Sequence, residues 1–153
     1  MTPAAPGSSA LTLVLASQSA SRMAMLTAAG VPFHAEPAMV DEDAAKAALG
    51  AIAPRDLADA LAEMKARKVS QRHPQALVLG SDSLAVLEDG TILSKPESRE
   101  DAARHLAMMS GKRHDLVSAA VIAEGGRPVW RHVDRARMMV RPLSEAFIDT
   151  YLD

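Results

Sequence analysis

Residues 13–22 have the sequence LVLASQSASR, in which an apolar run gives way to three serines and one arginine. The pattern predicts a buried strand, a tight polar loop and a helix that ends at Gly30. A helix N-terminus offers free backbone N–H groups, and Ser17, Ser19 and Arg22 would add side-chain donors beside it. The segment therefore predicts a phosphate-binding loop, although an N-cap next to an exposed arginine is the commoner use of such residues.

The composition restricts the classes of protein to which this chain can belong. Its 153 residues suffice for one domain with a core, and 48% of them are hydrophobic, as in ordinary soluble proteins. A formal net charge of −2 argues against a binder of nucleic acid or membrane surfaces, and without cysteine any metal must take oxygen or histidine ligands. We expect a cytoplasmic protein with a flexible lead-in over residues 1–10 and one α/β domain over residues 11–153.

Turn and cap residues divide the chain into alternating helices and strands. Helices are predicted over residues 23–29, 44–51, 54–72, 98–109 and 145–152. Strands are predicted over residues 11–16, 31–38, 76–80, 84–87, 91–93, 114–124 and 129–140. Pro37 is expected to break the second of them, and the polar residues 81–83 are expected to interrupt the strand between 76 and 87. This order predicts a mixed, twisted sheet flanked by helices. The final helix has no closing signal, so the chain is expected to stop within it.

Several charged residues fit a site for an anionic ligand. Asp82 follows the apolar run 76–80, and ligands of open α/β sheets gather at strand ends; a turn aspartate is the alternative interpretation. Asp41 and Glu42 fit either a Mg²⁺ site or an acidic helix start. Lys95 precedes a proline that restricts its backbone, which favours a fixed phosphate ligand. Lys65 lies among other basic residues, and its position alone does not distinguish it from a solvated surface lysine.

A series of short segments carries a family resemblance. The segments are 16–22 (ASQSASR), 30–33 (GVPF), 40–42 (VDE), 61–66 (LAEMKA), 80–83 (GSDS), 95–96 (KP), 110–114 (SGKRH) and 141–144 (RPLS). In this order they resemble the Maf family of nucleoside triphosphate pyrophosphatases, also described as septum-formation inhibitors. The chain departs from that family where Ser21 replaces the first of two usual arginines. The resemblance also implies a domain that lacks the family's usual C-terminal portion.

The resemblance implies a Maf/ITPase-like fold with a central nucleotide cleft, and it assigns roles to individual residues. These are a proton acceptor at Asp82, metal ligands at Glu42 and Asp82, substrate or phosphate ligands at Ser17, Ser19, Arg22, Lys65 and Lys95, and substrate specificity at Ser21 and Ser83. The implied cofactor is a divalent cation, Mg²⁺ or Mn²⁺. The implied partners are a nucleoside triphosphate and a second copy of the chain, with no nucleic acid and no membrane.

The reaction that the resemblance implies is hydrolysis of the α–β phosphoanhydride of non-standard or modified nucleoside triphosphates. The products would be a nucleoside monophosphate and pyrophosphate, with Asp82 as general base. A catalytically weak nucleotide-binding regulator of cell division and septum formation is the alternative function. A purely structural interaction module is a third, and it predicts that nucleotides do not shift the melting temperature of the protein.

Overall fold

A computed structural model describes residues 12–153, and the predicted lead-in over residues 1–10 lies outside them. The elements are β1 (Leu13–Leu15), α1 (Ala20–Ala28), β2 (His34–Ala35), α2 (Glu42–Leu49), α3 (Pro54–Ser70), β3 (Leu77–Leu87), β4 (Ile92–Leu93), α4 (Arg99–Met109), β5 (Arg113–Glu124), β6 (Arg127–Met139) and α5 (Glu145–Tyr151). Among the described residues, no helix has the length and apolar character that crossing a bilayer requires.

The strands form one six-stranded sheet in the order β2-β1-β3-β5-β6, with β4 paired to β3. Strand β1 is parallel to β2 and β3, whereas β3, β5 and β6 form an antiparallel meander and β4 is antiparallel to β3. The predicted mixed sheet flanked by helices is therefore confirmed. The parallel strands place the chain after β1 and the chain after β2 at the same edge of the sheet.

Side-chain caps set the start of four of the five helices that residues 12–153 form. The side chains of Ser19, Asp41, Ser98 and Ser144 each accept a hydrogen bond from a backbone N–H in the first turn of the helix that follows. Each bond satisfies a donor that the helix itself leaves free. Helix α3 instead begins with Pro54, whose missing N–H suits the first helical position.

Two strand predictions are wrong in detail. Residues 81–83 do not interrupt a strand, because β3 runs without a break from Leu77 to Leu87 and pairs with β5 along its whole length. Asp82 consequently lies within the strand and not at its end. The strand expected over residues 31–38 is reduced to His34–Ala35, and it ends before Pro37, where a break was predicted.

Helix α3 packs directly onto β3 on one face of the sheet. A Cβ atom at Gly80 would lie 2.2 Å from the backbone oxygen of Ala62 and 2.6 Å from the backbone nitrogen of Ala66, so only glycine fits there. Leu61 and Ala62 of α3 and Leu84 of β3 belong to the same buried cluster. This close approach places Lys65, which lies in the same turn of α3 as Ala62 and Ala66, beside the neighbouring core-facing position of β3, which is Asp82.

Candidate active site

A cleft of about 500 Å³ opens where the chain leaves β1, between the loop after β1, the segment before α2, the middle of α3 and β3. We call it the phosphate-loop cleft. Seven of the predicted site residues line it: Ser17, Ser19, Arg22, Glu42, Lys65, Asp82 and Lys95. These residues come from five separate stretches of the chain, so the fold gathers a set of charges that are far apart in sequence.

The loop after β1 is organised by its own serine hydroxyls. The Ser19 backbone N–H donates to Ser17 Oγ at 3.0 Å, and the Arg22 backbone N–H donates to Ser19 Oγ at 3.3 Å. The Arg22 guanidinium reaches Ser17 Oγ at 3.5 Å, which turns it toward the cleft. The loop thus presents the N-terminus of α1 and one guanidinium to the same space, which is a suitable arrangement for a phosphate group.

Lys65 links the two acidic residues of the cleft. Its ammonium lies 2.8 Å from Glu42 Oε1 and 3.0 Å from Asp82 Oδ1, and it also donates to the backbone oxygen of Ser81 at 3.4 Å. Only 12% of the Lys65 side chain is exposed, and the Asp82 side chain is buried. A buried carboxylate needs such a partner, because its desolvation is otherwise unfavourable.

Burial and Lys65 act in opposite directions on both carboxyl groups, with different results. Burial raises the pKa of Asp82 above its ordinary value, and the charge and hydrogen bond of Lys65 offset only part of that effect. At Glu42 burial also acts to raise the pKa, but the hydrogen bond and charge of Lys65, helped by Lys46 and Arg22, lower it below its ordinary value. The contacts with Lys65 therefore leave the pKa of Asp82 above its ordinary value and the pKa of Glu42 below its ordinary value.

Only one of the two carboxylate oxygens of Asp82 takes part in these contacts. Oδ1 accepts from Lys65, whereas Oδ2 is buried and has no hydrogen-bond partner among the described residues. An ionised carboxylate oxygen has the capacity to accept a hydrogen bond or to bind a cation. Oδ2 is thus the atom of the cleft with unused capacity for a water molecule or a metal.

The two predicted specificity residues do not line the phosphate-loop cleft. Ser83 is exposed on the sheet face opposite Asp82 and shares a hydrogen bond with Ser118 at 3.1 Å, since neighbouring residues of a strand point to opposite faces. Ser21 is exposed, and its hydroxyl lies 3.1 Å from that of Ser19. Ser21 therefore touches the loop without contributing to the wall of the cleft.

Sequence reasoning missed the cleft wall that residues 37–40 form. Met39 lines the cleft with a φ of 55°, a left-handed conformation that is uncommon for residues other than glycine, and its side chain is exposed. Lys68 of α3 donates a hydrogen bond to the backbone oxygen of Met39 and helps to hold the backbone of Met39 in this conformation. Pro37 was predicted to break the strand expected there, but that break does not by itself indicate that the residues after it line a cleft.

Comparison with known proteins shows the family to which this chain belongs. A family model described as "Maf-like protein" matches residues 12–153. The chain belongs to this family. A curated relative from Sphingopyxis alaskensis, named nucleoside triphosphate pyrophosphatase, is 51% identical over 144 residues, which cover 93% of this chain and 73% of the relative.

Two solved structures share the fold of this Maf-like chain at low sequence identity. A HAM1 protein from Coxiella burnetii matches with a TM-score of 0.52 and 14% identity, over 83% of this chain and 70% of that one. A nucleoside-triphosphatase, also titled dITP/XTP pyrophosphatase, from Mycobacterium abscessus matches with a TM-score of 0.51 and 16% identity, over 83% and 72%. The predicted Maf/ITPase-like fold is confirmed by these likenesses.

Proposed function

We propose that this Maf-like chain is a nucleoside triphosphate pyrophosphatase that cleaves the bond between the α and β phosphates, with Asp82 as its general base. The class of activity rests on the name of its curated relatives, of which one is 51% identical. The observation that carries the assignment of residues is the contact of Lys65 with Glu42 and Asp82 in the same cleft as the phosphate loop.

The charges of the cleft suit a polyphosphate only if a cation joins them. Arg22, Lys65 and Lys95 supply three positive charges, and Glu42 and Asp82 supply two negative ones. A nucleoside triphosphate carries about four negative charges near neutral pH. Because the two acids offset part of the charge of the three basic side chains, the cleft alone does not neutralise such a ligand. A divalent cation would supply the missing positive charge.

The acidic pair of the cleft fits Mg²⁺ or Mn²⁺ as such a cation. Among the described residues no cluster of three or more histidine, aspartate or glutamate side chains forms a ready metal site. Mg²⁺ is usually held by one or two carboxylates together with substrate phosphates and water, so Glu42 and Asp82 suffice. When bound, the cation would neutralise the phosphate oxygens and the charge that develops on the leaving pyrophosphate.

Asp82 would accept the proton of the attacking water. In the proposed step the water oxygen forms a bond to the α-phosphorus while the bond from that phosphorus to the α–β bridging oxygen breaks. The water gives one proton to Asp82 Oδ2, and the bridging oxygen leaves with the pyrophosphate. Arg22, Lys95 and the loop N–H groups would hold the phosphates in line with this attack. We expect the substrates to include non-standard or modified nucleotides.

A phosphate-release assay tests this function. The protein is incubated with a panel of standard and modified nucleoside triphosphates and either Mg²⁺ or Mn²⁺, with and without added inorganic pyrophosphatase. We expect phosphate to appear only when pyrophosphatase is present, because cleavage at the α–β bond releases pyrophosphate. Phosphate released without it would indicate cleavage at the γ-phosphate and contradict the proposed bond.

The same panel separates the enzyme from the nucleotide-binding regulator. A nucleotide that raises the melting temperature but is not hydrolysed with either metal would favour the regulator of cell division and septum formation. Ser21→Arg restores the arginine that the family usually has and is the matched variant for substrate choice. A change in the order of preferred nucleotides in that variant would support the predicted role of Ser21.

A further inference from the structure

Lys65 occupies the space between the two carboxylates to which the metal is assigned. Its single ammonium nitrogen contacts one oxygen of Glu42 and one oxygen of Asp82. We propose that Lys65 is an internal counter-ion of the metal-free protein, and that a divalent cation binds Glu42 and Asp82 only as the Lys65 ammonium leaves them. This inference rests on the proposed function, because it takes Glu42 and Asp82 as the metal ligands.

The geometry makes the ammonium and the metal competitors. The Lys65 ammonium lies within ion-pair distance of both acids, at 2.8 Å from Glu42 Oε1 and 3.0 Å from Asp82 Oδ1. Mg²⁺ binds oxygen at about 2.0–2.1 Å, so a cation held by these two carboxylates would lie close to the ammonium that now contacts them. A univalent and a divalent cation at such short separation also repel each other strongly.

Lysine suits this exchange better than arginine would. Its charge sits on a compact group at the end of a flexible four-carbon stem, so it can move without leaving a fixed planar contact. Lys65 belongs to α3 and lines the same cleft as the phosphate-binding loop after β1. The phosphates of a bound nucleotide would therefore receive the displaced ammonium. Neither Arg22 nor Lys95 has an ion pair with an acid within residues 12–153, so Lys65 alone of the three predicted phosphate-binding cations must exchange partners.

The exchange couples metal binding to nucleotide binding. In the absence of nucleotide, the metal must displace Lys65 into a cleft that offers it no phosphate partner, which weakens metal binding. With nucleotide present the ammonium gains a phosphate partner, so metal and nucleotide should each raise the affinity of the other. The chain would in this way keep its acids neutralised and free of metal until substrate arrives.

The first test measures the affinity for Mn²⁺ alone, without nucleotide, at neutral pH. Lys65→Met removes the competing charge and should tighten Mn²⁺ binding by about tenfold or more, whereas Lys65→Arg keeps a cation at the acids and should not tighten it. Lys46→Met is the matched control, because Lys46 acts on Glu42 through its charge only. We expect at most about a twofold effect from it. Unchanged or weaker Mn²⁺ binding by Lys65→Met would overturn the exchange.

The second test uses the wild-type protein and does not depend on whether a variant folds. Lysines are labelled with an amine-reactive reagent, with and without Mg²⁺, and the extent of labelling is read at each lysine by mass spectrometry. We expect Mg²⁺ to increase labelling at Lys65 several-fold relative to Lys46. Equal or lower labelling at Lys65 would contradict its release. Neither test measures turnover, so a failure of the proposed hydrolysis and a failure of the exchange are distinguished.

Discussion

Helix α3 takes part in two clusters in which one cation contacts two carboxylates, and the clusters differ in almost everything else. In the cleft cluster, Lys65 of α3 contacts Glu42 and Asp82 through one nitrogen. In the surface cluster, Arg131 of β6 contacts Asp59 and Glu63 of α3 at 2.5 Å, each through a different nitrogen of its guanidinium. The side chain of Arg131 is 46% exposed, against 12% for Lys65.

The difference shows which cluster can change partners. The planar guanidinium of Arg131 holds the two acids of α3 through two different nitrogens. These ion pairs join β6 to α3 and therefore stabilise the fold. The nitrogen of Lys65 is shared between two acids, and the side chain of Asp82 is 7% exposed, against 25% for Asp59. Each of these two aspartates has one buried oxygen without a partner within residues 12–153. Two clusters of similar charge therefore differ in role: the surface cluster is a structural contact between β6 and α3, and the cleft cluster contains an ion pair that can be displaced.

The largest expected effect is that of Asp82→Asn. This change removes the proposed base but keeps the shape of the side chain, so turnover should fall by about 10²–10⁴-fold, the usual contribution of a general base. Nucleotide-induced shifts of the melting temperature should persist, because the phosphate loop and its arginine are intact. Pyrophosphate release at near wild-type rate from the folded variant would remove Asp82 from the mechanism and make the two clusters functionally alike.

A change at Gly80 should disturb the packing on which both clusters depend. Gly80→Ala places a Cβ atom against the backbone of Ala62 and Ala66. We expect a loss of about 3 kcal/mol or more in the free energy of unfolding, measured by urea denaturation.

Ser81→Ala is the control for Gly80→Ala, since it lies next to Gly80 on the other face of β3, and it should change stability by about 0.5 kcal/mol or less. Wild-type stability of Gly80→Ala would mean that α3 does not approach β3 so closely. The cleft and surface clusters would then have to be explained without that contact.

Arg131→Met should affect stability and leave turnover unchanged. Exposed ion pairs contribute little, so the loss of two of them should lower the free energy of unfolding by about 1 kcal/mol. Arg135→Met, which breaks a longer contact with Asp115, is the control and should cost less. If Arg131→Met lowered turnover strongly without changing stability, the surface cluster would have a functional role and would no longer differ from the cleft cluster in this respect.

The smallest expected effect is a change in the titration of Asp82. In the metal-free protein, carboxyl ¹³C NMR should give Asp82 a pKa above 3.8, and Glu42→Gln should lower it, because the charge of Glu42 raises it. Since the raised pKa penalises the ionised form, this group favours the folded state below its unfolded pKa, and that contribution is lost as the pH rises through the folded value. Arg131→Met should leave this titration unmoved, and a wild-type pKa at or below 3.8 would show that Lys65 outweighs burial.

The helices and turns could be predicted from the sequence because their signals are local. Ser98 and Ser144 cap the helices that were expected to follow them, and residues 88–90 form the turn between β3 and β4. Asp82 in the middle of β3 could not be predicted in this way. Its partner Lys65 lies 17 residues earlier in the chain, and only the packing of α3 on β3 makes a buried aspartate acceptable within a strand.

The candidate site was predicted by resemblance more than by pattern. No periodicity selects Lys65 from Lys68, yet the helix places the first in the cleft and directs the second to the backbone of Met39. Ser21 and Ser83 were assigned by the same resemblance and lie outside the cleft wall, so their role in specificity stays a prediction. The wall made by residues 37–40 depends on contacts between distant segments, which sequence spacing does not encode.

The outer strand β6 has a consequence for how copies of this chain meet. Within the described residues β6 pairs with β5 only, and its other edge offers free backbone donors and acceptors, which could recruit a strand of another molecule into a growing sheet. The side chains of Val129 and Trp130 in β6 are also exposed. Charged residues recur along its length: Arg127, Arg131, Asp134, Arg135 and Arg137. With Pro128 near its start, this charge pattern opposes sheet extension between molecules and protects a long bare edge from aggregation.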